Sequence, residues 1–349
     1  MSRLRVCLNV QALTGRITGI ERYTFEVLRE LDALVAEQDE LEVEAMYARG
    51  AHPNLPELKA ISAQVALCWR GGMDYAGLRK YVKQRGAWYV NFSGGLAVQP
   101  NSVITFHDLR PLMHPEFDGM GSRARVGLSV RAARMQRCPV VTVSPFSRDE
   151  LQRAGIDKSR ITLAPNGWEH ILRVEADKGV FERHPDLVPD EYYYVLGSLA
   201  PHKNLSWVLG VARNNPGCTI AVAGKLWDGA QPPQDLPPNV HYLGYVSDGQ
   251  SKALLESCRA FLHPSLYEGF GLPPLEALAC GKRVLAAAGT AVEGIYGDTL
   301  RYFDAHDVEL DLNHASDFEP SVEARERVLS TYTWRASAQA WMDLLTTLC

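Results

Sequence analysis

The 349-residue chain has no C-x-x-C pair, and its seven cysteines, Cys68 and Cys138 among them, form no even framework. A disulfide scaffold is therefore not expected, and the reduced cytosol is the natural compartment. No run approaches the roughly 18 to 20 apolar residues that a membrane span needs. Nothing at the N-terminus has an apolar core of signal-peptide length. The expectation is a soluble cytoplasmic protein, or one resting peripherally on the inner face of the cell membrane. Internal repeats and low-complexity tracts are missing too. The chain is acidic overall and lacks an aromatic-basic stacking pattern, so nucleic acid is not an expected partner.

What is present is hydrophobic capacity. With 46% hydrophobic residues, a chain of this length can bury two cores of ordinary domain size. The formal net charge of -5 hides an asymmetry. Residues 1–170 carry 22 Lys and Arg against 18 Asp and Glu, and the remainder 14 against 23. Solvation alone accounts for excesses of this size, so the asymmetry decides nothing by itself.

Short β-rich runs alternate with helical patterns, the signature of parallel βαβ units. Strands are predicted at Leu4 to Val10, Ser102 to Phe106, Val140 to Val143, Tyr193 to Leu196, Thr219 to Ala223, Ala260 to His263 and Arg283 to Ala286. A helix opens at Gly19, and Ser147-Arg-Asp-Glu150 has the pattern of a structural capping box. Two Rossmann-like domains in tandem result: 1–170, a polar linker at 171–190, and 191–332. A last helix over 333–349 sets Trp334, Ala338, Trp341, Leu345 and Leu348 at helical spacing. That apolar face must be buried, on its own domain or back on the first.

Ligands of open parallel sheets bind at the carboxyl ends of strands. One such place is Ser265-Leu-Tyr-Glu-Gly-Phe-Gly-Leu-Pro-Pro-Leu-Glu-Ala-Leu-Ala-Cys-Gly281. Glu268 stands on a loop, Gly269 and Gly271 allow close backbone approach, and Pro273-Pro274 suits a first helical turn in which Glu276 is placed. Two carboxylates beside exposed amides suit a ligand with hydroxyls as well as phosphates. A helix N-terminus with an acid for its dipole is the plainer explanation. It covers Glu276 but leaves Glu268 and both glycines without a cause.

This segment is similar to the Glu-x7-Glu signature of the retaining, nucleotide-sugar-dependent glycosyltransferases of GT-B fold, in the large family numbered four. The resemblance extends over most of the chain. Gly19-Ile-Glu-Arg-Tyr resembles the family's first loop and helix, Thr105-Phe-His-Asp-Leu-Arg-Pro-Leu its central N-domain loop, Pro165-Asn-Gly its hinge, and Gly197-Ser-Leu-Ala-Pro-His-Lys-Asn its phosphate site. The resemblance implies an α/β GT-B fold with a deep interdomain cleft, an acceptor-binding first domain and a nucleotide-sugar-binding second domain.

Residue by residue, the resemblance places Glu268 on donor-sugar hydroxyls and Glu276 on the ribose of the nucleotide. Gly269, Phe270, Gly271 and Leu272 would offer amides to the sugar and diphosphate, Tyr245 and Val246 would read the base through the backbone, and Gly19 would line the donor site. Lys203 matches the lysine that neutralises the diphosphate, and a cation at a departing diphosphate lowers the barrier on general grounds. An exposed surface lysine is the alternative. Many relatives carry arginine at the position of Ser198 or of His202; here neither is arginine, so a charged His202 or an arginine from elsewhere is expected to substitute, or else Lys203 and helix amides carry the load. His107 would line the reaction centre, against the alternative of a structural hydrogen-bonding histidine. Asp108 is assigned to positioning, because the usual proposal for such enzymes needs no protein nucleophile.

A divalent ion on a diphosphate would want clustered carboxylates. The nearest pattern, Asp304-Ala-His-Asp307, reads as solvated surface, and neither a metal nor a cofactor is expected. In Ser122 to Arg137, the helical angle places Arg123, Arg131, Arg134 and Arg137 on one face with Val126 and Val130, opposite Leu128, Ala132 and Met135. Such a face suits anionic lipid headgroups; a solvated helix surface is the alternative. The expected activity is retaining transfer of a sugar, mannose or a deoxysugar such as rhamnose, to a lipid-linked glycan. The rivals are a GT-B epimerase or inverting transferase, and a non-catalytic GT-B subunit.

Overall fold

The computed structural model describes residues 3–15, 17–225 and 235–348. The chain divides into two compact units, residues 1–167 with 332–349, and residues 168–331. In the first, seven parallel strands, β1 (Leu4–Asn9), β2 (Leu41–Ala48), β3 (Ser62–Ala66), β4 (Trp88–Asn91), β5 (Ser102–Phe106), β6 (Val140–Thr142) and β7 (Ile161–Leu163), run in the order β3-β2-β1-β4-β5-β6-β7. In the second, β8 (Tyr192–Leu196), β9 (Thr219–Ala223), β10 (Val240–Gly244), β11 (Ala260–His263), β12 (Arg283–Ala287) and β13 (Arg301–Phe303) run in the order β10-β9-β8-β11-β12-β13, again all parallel. These are the two Rossmann-like units that the alternation predicted.

The central strands read as unbroken apolar runs because helices cover both faces of a parallel sheet. On one face Tyr193, Val195, Ala260 and Leu262 are buried together with Trp207, Val208 and Leu285, while Tyr194 and Phe261, also buried, meet each other edge-on. Strand order reverses between β1 and β4 in one sheet and between β8 and β11 in the other. At such a switch point the loops diverge to either side and open a crevice at the carboxyl ends.

The last helix, Trp334–Thr347, belongs to the first unit. It packs along the Gly19–Val35 helix, where Tyr23 acts as a buried hub: its hydroxyl accepts from Trp341 Nε1 at 2.8 Å and donates to the Ala164 carbonyl at 3.2 Å. The Gly19 helix starts where the sequence placed it, with Thr18 N–H donating to Glu21 Oε2 at 3.1 Å.

Two expectations about local structure are corrected. Residues 171–190 are no linker but part of the second unit, with short helices at His170–Arg173 and Gly179–Arg183. Lys252 Nζ donates to the Ile171 and Val174 carbonyls at 3.0 and 2.9 Å, and Asp177 and Asp190 N–H donate to Gly249 and Ser257 carbonyls. The cap of the Pro145–Arg153 helix is Ser144, whose side chain accepts from Ser147 N–H; Ser147 itself lies inside the helix. Proline at the first helical position fixes that start one turn earlier than the capping-box pattern suggests.

Candidate active site

The second unit gathers its polar groups at the β8/β11 switch point. Strand β8 runs into Gly197, whose carbonyl is so near Gly224 that a Cβ on Gly224 would meet it at 1.6 Å. Only glycine fits there. The chain then turns through Pro201–Lys203 into Asn204 at φ +57°, a left-handed position asparagine tolerates, fixed by its side chain on the Ala305 carbonyl at 3.0 Å. This turn carries Lys203 over Gly197. His202, expected to face phosphate, instead turns inward and is buried. Its carbonyl accepts Leu266 N–H at 2.8 Å and so ties the turn to the signature loop.

Strand β11 ends at His263 and the loop leads to the Leu272–Ala279 helix. Gly271 caps it at φ +86°, where a Cβ would meet Val292 Cγ2 at 2.8 Å. A helix normally offers four unpaired N–H groups at its start. Pro273 and Pro274 remove two of them, so the donors concentrate at the loop end, at Gly271 and Leu272. Phe270, expected among the donor contacts, sends its ring into the core, edge-on to Tyr296, whose hydroxyl donates to the Gly271 carbonyl at 2.6 Å. Glu276 sits in the second turn, not the first, because the helix begins at Leu272.

Both signature acids are largely buried, with side chains 13% and 12% exposed for Glu268 and Glu276. Glu268 Oε1 accepts from Lys203 Nζ at 2.6 Å and lies 3.0 Å from His263 Nε2. Burial alone would push the Glu268 carboxyl up, but the charge of Lys203, with His263, outweighs it and holds the group well below the usual range. Glu276 Oε1 pairs with His170 Nε2 at 2.8 Å, and His170 is itself buried. Among the described residues, the second oxygen of each acid has no partner. Two ionisable acids therefore each keep one oxygen fixed and one available. Gly197, Ser198 and Ser265 line a small cavity together with Lys203 and His263, the two groups at Glu268 Oε1.

Other expected residues have surroundings of their own. Tyr245 and Val246 follow β10, with Tyr245 61% exposed. In the first unit, His107 Nε2 is 2.7 Å from the Phe92 carbonyl. A carbonyl only accepts, so the proton resides on Nε2 and Nδ1 presents a lone pair. Burial lowers the pKa of the ring and so favours its neutral form. One Asp108 oxygen accepts Arg110 N–H at 3.0 Å and so caps the following turn. Gly19 is exposed, and a Cβ there would meet nothing, so its own packing does not require glycine.

The Met120–Met135 helix corrects the expected face. Val130 is buried with Ser129 and Ala133, and Val126 packs on the same core, so the valines do not share a surface with the arginines. The outward face instead carries Met120, Leu128 and Met135, at 89, 57 and 68% exposure, with exposed Arg123, Arg131 and Arg134 around them. Arg137 lies beyond the helix end at φ +54°. Among the described residues, no three His, Cys, Asp or Glu side chains gather to hold a metal ion, and no helix is long and apolar enough to cross a membrane.

His263 and His170 are the site residues that sequence reasoning passed over. One ends the strand before the signature loop and the other follows Pro165-Asn-Gly-Trp-Glu169. Adjacency to the motifs was the available signal.

Residues 181–302 match the family model "Glycosyl transferases group 1". Along 338 residues, 88% of each chain, the protein is 25% identical to O-antigen chain mannosyltransferase B of Escherichia coli. Its fold is similar to that of sucrose-phosphate synthase from Thermosynechococcus elongatus, with a TM-score of 0.71 at 16% identity over 99% of both chains. It is also similar to Anabaena Alr3699/HepE, solved in complex with UDP and glucose, with a TM-score of 0.70 at 16% identity over 99% of this chain and 100% of that one.

Proposed function

The chain being a GT-B glycosyltransferase, we propose that it moves mannose, or a deoxysugar such as rhamnose, from a nucleotide-diphosphate donor to a hydroxyl of a growing, lipid-linked cell-surface glycan, with retention at the anomeric carbon. The observation that carries this reading is the pair of acids. Glu268 and Glu276, each with one oxygen fixed and one available, suit the hydroxyls of a sugar and of a ribose. The mannosyl preference is supported by the E. coli relative's named activity.

In the proposed reaction the bond between the anomeric carbon and the phosphate oxygen breaks, and a bond to the acceptor oxygen forms on the same face of the sugar. The acceptor's proton passes to the departing phosphate oxygen. Lys203, with the donors at Gly271 and Leu272, holds the negative charge that gathers on the leaving diphosphate. Glu268 Oε2 fixes the sugar and Glu276 Oε2 the ribose. No metal takes part in this scheme, so EDTA is expected to leave activity intact.

The outward face of the Met120–Met135 helix suits peripheral attachment to anionic lipid. Its apolar side chains would enter the headgroup boundary while the arginines pair with phosphates.

The test has two parts. A thermal-shift screen against GDP, UDP, dTDP and ADP identifies the base. Transfer from the matching nucleotide sugar to a glycan acceptor is then followed by NMR of the product's anomeric configuration. An inverted product overturns the retaining mechanism; no turnover of any donor overturns the enzymatic reading.

A further inference from the structure

Glu268 Oε1 has two holders of different kinds. Lys203 Nζ, 2.6 Å away, reaches in from a turn and is 23% exposed. Its charge is what an arriving diphosphate recruits. His263 is the last residue of β11, in register with Ala286 of β12, stacked on Phe261 and 3% exposed. It has no room to follow a ligand. Its Nε2 lies 3.0 Å from Oε1 without hydrogen-bond alignment, and among the described residues no other group takes that nitrogen. A buried ring nitrogen left without a hydrogen bond in a folded chain calls for an explanation.

We propose that His263 is the positioning residue that holds Glu268 Oε1 once Lys203 has turned to the donor's diphosphate, so that Oε2 stays aimed at the sugar hydroxyls. The proposal rests on reading this cluster as a nucleotide-sugar site. Without a second holder, loss of Lys203 would leave a largely buried carboxylate unpaired, and such a group takes up a proton or rotates away. An ionised carboxylate only accepts, so His263 must present its proton on Nε2. A small swing of the Glu268 side chain as Lys203 departs converts the present contact into a charge-assisted hydrogen bond. The rigid strand makes the histidine a fixed reference, and the exposed lysine is the part free to move. Lys203 is thereby shared in time between two anions, whereas His263 serves one.

The proposal is tested with His263→Phe, which keeps a ring and removes the donor, and His263→Gln, whose Nε2 amide approximates the imidazole Nε2. Calorimetric titrations of the full chain use GDP against GDP-mannose, with UDP against UDP-glucose alongside. His263→Phe is expected to bind the nucleoside diphosphate within about twofold of the parent, but the nucleotide sugar about tenfold or more weakly, the loss of one hydrogen bond to a charged group. His263→Gln is expected to recover most of that difference. Equal losses for diphosphate and nucleotide sugar, or parent-like binding and turnover by His263→Phe, would overturn it. Should the Phe variant fail to fold, His263→Asn serves: its shorter amide matches Nδ1 and misses Oε1, so Asn binding the sugar donor as well as Gln does would also overturn it. A parent that binds none of the four ligands refutes the site reading itself, which separates the two failures.

Discussion

Glu276 gives the sharpest separation of binding from stability. Its Oε1 satisfies the buried Nε2 of His170 at 2.8 Å, and its Oε2 is available for ribose. Glu276→Ala therefore removes two things at once. The lost charge-assisted bond to the nucleotide is worth about 1.5 to 3 kcal/mol, or about 10- to 150-fold in affinity. Loss of the Glu276 acceptor at buried His170 Nε2 costs about 1 to 3 kcal/mol of stability, a drop of several degrees in Tm for a unit of this size. Glu276→Gln divides the effects. Its amide oxygen still accepts from His170, so Tm is expected to stay near the parent's, while an NH2 group replaces the acceptor facing ribose and weakens nucleotide binding. Calorimetry with the nucleoside diphosphate that shifts the parent most, beside thermal melts of the ligand-free variants, measures both. Parent-like nucleotide affinity in Glu276→Ala would refute the ribose assignment. A melting temperature lowered as far in Glu276→Gln as in Glu276→Ala would refute the account of His170.

Lys203→Ala is expected to lower turnover about 100-fold, as for the loss of a transition-state electrostatic contact, and steady-state rates at saturating donor check this; a loss under fivefold would remove Lys203 from the chemistry. The Glu268 carboxyl is held well below its ordinary 4.5 when folded, so its stabilising contribution is complete above that value and drains away as pH falls through the folded pKa. Urea midpoints taken from pH 6 to pH 3 are expected to fall more steeply for the parent than for Glu268→Gln, and parallel curves would refute it. On the Met120–Met135 helix, changing Arg123, Arg131 and Arg134 to Ser is expected to remove about 1 kcal/mol of attraction per side chain to anionic vesicles. Sedimentation at rising salt reads this, and equal binding to neutral vesicles would refute it.

The fold was legible where strands were long, apolar and followed by turn residues: β1, β5, β8, β9, β11 and β12 all fall where the sequence placed them. Strand β2 was not, because Leu41-Glu-Val-Glu44 carries acids into a sheet, Glu42 exposed beside Arg5 and Glu44 half-buried. The reason they are tolerated is remote: Arg85 pairs with Glu44 at 2.7 Å, and Cys7 donates to it at 2.9 Å. β7 and β13 are three residues long and have no period to read. The same physics hid the structure of residues 171–190, whose Asp177 carboxylate and Ile171 and Val174 carbonyls accept from the side chains of Gln250 and Lys252, some 70 to 80 residues away in sequence. Nothing local in that segment distinguishes it from a solvated linker.

The site divides along a similar line. A signature such as Glu268-x7-Glu276 is legible because its pieces are covalently close, and the strand before it and the helix after it fix where it stands. What holds the acids is not. His170 meets Glu276 across 106 residues and Lys203 meets Glu268 across 65. Composition says nothing about which single histidine among ten ends up against a carboxylate. The helical face around Arg131 went astray for a related reason: period gives the angle between side chains but not which side the core lies on. Ser129 and Ala133, small enough to let that helix lie close on the first unit's core, decide it. Arginine spacing alone could not, and two of the exposed apolar residues beside those arginines, Leu128 and Met135, were assigned to the opposite side.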